Sequence, residues 1–211
     1  ILWSLAKSAH GSSLPIVAFA LTGYSTVLLW RNMPSRCIGA IEPNLALMYH
    51  RNVKVIDIFS ARVLLEAMGA TISFVTLSLF YIYIGWLSPP QDVLTVIAGW
   101  LLTAWFGASL AMLLGALAEK TEIVERLWHP AAYLLFPLSG AVFLVDALPA
   151  AAQKYVLYIP MVSGVEMVRE GYFGDQVTTH YDAPYLAGFC VVLTLLALIK
   201  VSEVNHGVTP E

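Results

Sequence analysis

The feature that most constrains this chain is a series of apolar runs, each about as long as a lipid bilayer is thick. A helix rises 1.5 Å per residue, so about 20 apolar residues cross a hydrocarbon core about 30 Å thick. Residues 14–33, 63–86, 93–118, 128–147 and 184–202 all read as such runs. Residues 1–9 are too short to span and read as the tail of a first helix. Composition points the same way: of 211 residues, 59% are hydrophobic and 12% charged, against about 25% charged in a soluble domain. A water-soluble globule of this size cannot hide so much apolar surface, which excludes soluble, disordered, collagenous and disulfide-scaffold chains. The expected fold is all-α and polytopic, with six transmembrane helices, the first truncated. A net charge of −3 with no basic run excludes nucleic acid as a partner.

The cations are unevenly placed between the runs. Arg31, Arg36, Arg51, Lys54, Arg62, Lys120, Arg126 and Lys200 fall on one side of a six-span arrangement, and Lys7, Lys154 and Arg169 on the other. That asymmetry puts residues 34–62, the 119–126 link and the C-terminus in the cytoplasm. Tyr81, Tyr83 and Trp86 at the end of one run read as an interfacial aromatic belt. Pro130 and Pro137 read as kinks inside another. The small residues between Gly107 and Gly115 suit close helix packing.

Two stretches are neither plain loop nor plain span. In 34–60, Leu45, Leu47 and Met48 flank Tyr49-His50-Arg51, and Asp57 reads as the N-cap of the next helix. The pattern gives a short interfacial helix, either resting on lipid or docking as a lever into a cytoplasmic partner. In 148–183, Leu157, Ile159, Met161, Val165 and Val168 are too apolar for a loop. Lys154, Glu166, Arg169 and Glu170 are too frequent for a span. Pro149, Pro160 and Gly171 divide it into two short helices lying in, or dipping into, the outer interface, or one external loop carrying a surface helix. Glu166 and Arg169, three apart, share a helix face and can pair; so can Arg62 and Glu66, four apart.

Known chemistry is mostly excluded. There is no GxxxxGK[ST] loop, so no nucleotide site of that kind, and neither HExxH nor GxSxG occurs. His10, His50, His129, His180 and His206 are scattered, which speaks against a metal site. Cys37 and Cys190 imply neither a disulfide framework nor a metal pair. No deep carboxylate or histidine relay of an ion-driven carrier is visible. A lipid-modifying membrane enzyme would need clustered acids or histidines at one interface, and Glu166, Arg169 and Glu170 make only a thin cluster.

The run Asn44-Leu45-Ala46-Leu47-Met48-Tyr49-His50-Arg51-Asn52-Val53-Lys54-Val55-Ile56-Asp57, leading into Ala61-Arg62, resembles the loop between spans two and three of type-2 ABC exporter permeases. Leu148-Pro149, Tyr158-Ile159-Pro160-Met161 and Gly164-Val165-Glu166-Met167-Val168-Arg169-Glu170-Gly171-Tyr172-Phe173 resemble that family's external segment before the last span. The match is nearest to its capsular polysaccharide export (KpsM-like) branch. The resemblance implies one permease domain over 1–211, without its own ATP chemistry, in a bacterial inner membrane. It would work with a second copy of itself, with two ATPase subunits that bind ATP and Mg, and with periplasmic polysaccharide export proteins. The cargo would be a lipid-linked capsular glycan, or on the same scaffold an O-antigen, a teichoic acid or a small molecule. Leu47, Met48, Tyr49, His50 and Arg51 would meet the ATPase. Glu166, Arg169, Tyr172 and Phe173 would form an external gate, with Tyr24 and Trp105 on the substrate path.

Overall fold

The computed structural model describes residues 15–51 and 53–208, with side chains described over 15–49 and 53–205. Every regular element among them is helical: α1 (Ile16–Cys37), α2 (Leu45–Arg51), α3 (Val55–Tyr83), α4 (Val93–Ala118), α5 (Glu122–Leu138), α6 (Ala150–Val156), α7 (Pro160–Phe173) and α8 (Ala183–Val208). Residues 1–9 lie outside the described residues.

Helices α3, α4 and, over Ala183–Asn205, α8 are long and apolar enough to cross a membrane. Helix α1, with 22 residues, has the length but also carries Thr22, Ser25, Thr26, Arg31 and Asn32. The run at 128–147 is corrected. Its helix starts at Glu122, inside what read as a charged link, and stops at Leu138. Pro137 cannot donate a backbone bond, and Gly140 turns the chain at φ 81°. The 17 residues of α5 reach about 25 Å, so this helix ends inside the bundle.

Helix α4 is the hub, packed by α1, α7 and α8. Its glycines set the spacing. A Cβ on Gly107 would lie 2.7 Å from the Trp30 Cα, and one on Gly115 would lie 2.9 Å from Cys37 Cβ and from Phe59. With nothing but hydrogen there, backbones come close, which is how helices hold together in lipid. Polar side chains join the remaining pairs. Trp100 Nε1 donates to Thr71 Oγ1 at 2.9 Å (α4 to α3). Trp128 Nε1 donates to Ser35 Oγ at 3.0 Å (α5 to α1). Arg36 Nε meets Glu66 Oε1 at 3.0 Å (α1 to α3). Glu66 therefore pairs across helices with Arg36, not along its own helix with Arg62.

The end of α3 that follows α2 is tied down as well. Asp57 is not the N-cap; it is the third helical residue, and its carboxylate accepts from Lys54 N–H at 2.9 Å. Val55 N–H donates to Asn205 Oδ1 on α8 at 3.3 Å, and Lys120 bridges to Glu203 beside it.

Candidate functional site

Helix α7 is short, charged and buried. Among its 14 residues all but Met167 and Glu170 are buried. Pro160 opens it at a position where a missing N–H is harmless. It runs antiparallel to the first half of α4, and three glycines allow this. A Cβ on Gly99 would lie 2.9 Å from Val168 N, one on Gly164 would collide with Thr103 Oγ1, and one on Gly171 would press into Val96 N and Asp92 O. Asp92 starts α4 by accepting from Leu94 N–H at 2.9 Å, and its own N–H donates to Gly171 O at 2.8 Å. The last turn of α7 is thus sewn to the first turn of α4.

The geometry brings Glu166 and Arg169 together: Oε1 and Nη1 are 3.6 Å apart, and both side chains are wholly buried. Arg169 does more than pair. Its Nη1 donates to the carbonyls of Gly140 and Phe143 at 2.7 and 2.6 Å, and Nη2 to that of Ala141 at 2.6 Å. The guanidinium lies 4.1 Å from the Phe19 ring centroid. Because α5 stops at Leu138, the buried turn after it carries carbonyls that no helical bond satisfies. A planar cation with five donors satisfies three of them at once. Gly23 on α1 makes the room, since a Cβ there would sit 2.8 Å from Nη2.

Glu166 Oε2 accepts from His180 N–H at 3.2 Å. Burial pushes the Glu166 carboxyl above its ordinary range, and Arg169 draws it only partly back. His180 Nε2 stands 3.3 Å from Asp146 Oδ1, and Thr179 Oγ1 donates to Glu170 Oε2 at 2.9 Å. Residues 174–182 are therefore strapped to α7 and to the turn after α5. The unit is one network: turn 140–146, α7 and strap.

Two expected gate residues are placed differently. Tyr172 and Phe173 are 5% and 3% exposed, so neither ring offers a face to a sugar. Tyr172 instead donates to Ser88 O at 3.1 Å and meets Phe173 edge-on at 5.6 Å. They are anchors because the closely packed end of α7 leaves them no open side. Tyr24 is half exposed, edge-on to Phe136 at 6.1 Å. Trp105 is partly exposed and donates to Thr194 Oγ1 at 3.0 Å, joining α4 to α8. At the opposite end of the bundle, Leu47 and Tyr49 are exposed and Met48 half-buried. The side chains of His50 and Arg51 lie outside the described residues. Gly23, the 140–143 carbonyls and His180 were not singled out from sequence. The Pro137-Leu138-Ser139-Gly140 stop was the available signal for the carbonyls. Among the described residues no His, Cys, Asp or Glu group could hold a metal ion.

Comparison with known proteins gives a consistent picture. Residues 12–173 match the family model for the ABC-2 type transporter. The chain is 37% identical to the capsule polysaccharide export inner-membrane protein BexB of Haemophilus influenzae, over all of the chain and 80% of that protein. It is 42% identical to the capsule polysaccharide export inner-membrane protein CtrC of Neisseria meningitidis, again over all of the chain and 80% of that protein. Against the polysialic acid transport protein KpsM of Escherichia coli the identity is 25%, over 88% of the chain and 71% of that protein.

Proposed function

This chain belongs to the ABC-2 type transporter family, and from that premise we propose that it is the membrane permease through which a capsular polysaccharide leaves the cytoplasm. The observation that carries the reading is likeness along the whole chain: two proteins named for capsule polysaccharide export from the inner membrane match it from end to end at 37% and 42% identity. The protein is a transporter subunit of the inner membrane rather than an enzyme. ATP and Mg are held by a partner ATPase, two copies of which serve two copies of this chain, and the cargo is a lipid-linked glycan handed on to periplasmic export proteins.

The geometry supports a division of labour. Helix α2, with Leu47 and Tyr49 exposed, is the surface an ATPase pushes. The push passes on because Lys54 and Asp57 close the first turn of α3 and Asn205 clamps Val55 to α8. At the far end α7 and its strap act as the ceiling over the exit. The test is complementation. In a bacterium deleted for its own capsule permease, this chain with its cognate ATPase should restore surface polysaccharide. Replacing Leu47 and Tyr49 by Ala should lower export at least tenfold while the purified complex still hydrolyses ATP. Restoration by the ATPase alone would overturn the reading.

A further inference from the structure

Helix α5 has three faces, not two. Trp128 and Ala132 point into the bundle and are buried. Ile123, Leu127, Leu134 and Leu138 fall on a second, exposed and purely apolar face, spaced i, i+4, i+11, i+15 as one helical stripe is. Glu122, Arg126, His129 and Tyr133, spaced i, i+4, i+7, i+11, fall on a third, also exposed. Lipid suits the second face and not the third.

The third face is flanked by α1. Arg31 places its guanidinium carbon 5.5 Å from the centroid of the Tyr133 ring, and Tyr24, seven residues earlier on the same side of α1, meets Phe136. The depth of Arg31 is set by its neighbour. Trp30 abuts Gly107 of α4, which lies 14 residues from Val93 and 11 from Ala118, or about 21 and 17 Å along the helix. Arg31 thus stands level with the middle of α4, a membrane-spanning helix, not at the interface where the spacing of the cations alone would leave it. Among the described residues no carboxylate pairs with it. A cation at that depth, stacked on an exposed tyrosine, has to meet water or an anion.

We propose that the face shared by α1 and α5 is the wet wall of the export path, and that Arg31, stacked on Tyr133 and bordered by His129 and Tyr24, binds the carboxylate or phosphate of an acidic sugar in transit. The ligand assignment rests on the function proposed above; the wetness of the face does not. A stacked guanidinium keeps its edge donors free for an oxyanion, and the aromatic rings suit the apolar faces of sugars.

The experiment has two arms, both on the full chain in its native membrane. In a background with Cys37 and Cys190 replaced, single cysteines at 129, 133, 127 and 134 are exposed to a charged, membrane-impermeant thiol reagent in inside-out vesicles. Positions 129 and 133 should react at least tenfold faster than 127 and 134, and equal rates would overturn the wet wall. In the complemented strain, Arg31→Gln should lower surface acidic glycan at least tenfold at unchanged permease abundance, with Arg31→Lys retaining about a third. Normal export by Arg31→Gln would overturn the ligand role alone. Failure of the unsubstituted chain to restore export would strike the proposed function instead, and the labelling arm would still decide the face.

Discussion

Helices α3 and α7 invert what a soluble protein does. Helix α3 has 29 residues, most of them apolar, of which only Val55, Ile58, Phe59, Val63 and Phe74 are buried; Leu64, Leu65, Met68, Ile72 and Phe80 face outward. Helix α7 holds a carboxylate and a guanidinium and is buried almost throughout. In lipid no hydrophobic force favours hiding leucine, because the surroundings are as apolar as the core. Burial goes instead to groups the hydrocarbon cannot solvate. Chain segments with unpaired carbonyls, such as the turn after α5, need a protein partner, and α7 is where those partners are collected.

The sharpest way to break this contrast is to remove the cation. Arg169→Ala leaves three carbonyls without their donor and one buried carboxylate without its counter-ion. The expected cost is about 3–5 kcal/mol, seen as a large fall in the melting temperature of the detergent-purified protein. Glu166→Gln keeps an acceptor for His180 N–H and should cost less than half as much. Equal losses would mean that pairing, not carbonyl capping, holds α7.

The opposite probe is a charge on α3. Leu65 is 69% exposed and ten residues from the helix start. Leu65→Lys should raise the insertion free energy by about 3–4 kcal/mol, measured as the inserted fraction in a translocon assay. Once in detergent, the folded protein should melt almost unchanged. If it melts much lower, α3 is covered by protein at this position rather than by lipid.

Glycines give a smaller, paired effect. Gly171→Ala must push Val96 and Asp92 aside, at about 1–3 kcal/mol for overpacking. Gly69→Ala on α3 meets nothing within 4 Å and should stabilise by up to about 1 kcal/mol through helix propensity. Thermal shifts of opposite sign are the expected outcome; a loss at both would place a neighbour against Gly69.

The apolar runs announced α3, α4 and α8 because length and hydropathy are local properties. The two short helices at 150–156 and 160–173 were also announced, by prolines and by a density of charge too high for a span and too low for a loop. What stayed hidden depends on pairing between distant segments. Glu66 finds Arg36 thirty residues away rather than Arg62 one turn away, and no spacing rule contains that. The depth of Arg31 is equally illegible, since along the chain it sits near a helix end and only Gly107 opposite Trp30 shows how deep it lies. The resemblance put Tyr172 and Phe173 in an external gate, whereas the glycines at 164 and 171 draw that whole face of α7 against α4.

The mildest test concerns how α3 is held at all. Its largest side-chain tie to the hub is Trp100, which stacks on Phe74 at 4.6 Å and donates to Thr71 Oγ1 at 2.9 Å. Thr71 in turn donates to Ala67 O at 2.7 Å, so the hydroxyl is already oriented to accept. Thr71→Val keeps the shape and removes the acceptor. Such bonds between membrane helices average about 0.6 kcal/mol, because the separated helices find other partners in the bilayer. Ser35→Ala, which removes the acceptor of Trp128 Nε1 between α5 and α1, should cost a similar amount. The two variants should therefore shift the unfolding free energy equally and add when combined, since they share no neighbour. If Thr71→Val costs several kcal/mol while Ser35→Ala costs under one, α3 is held by that single bond, and its contrast with α7 is one of degree. A small, additive effect at both sites leaves α3 held by ring stacking and close packing, with its outer face given over to lipid.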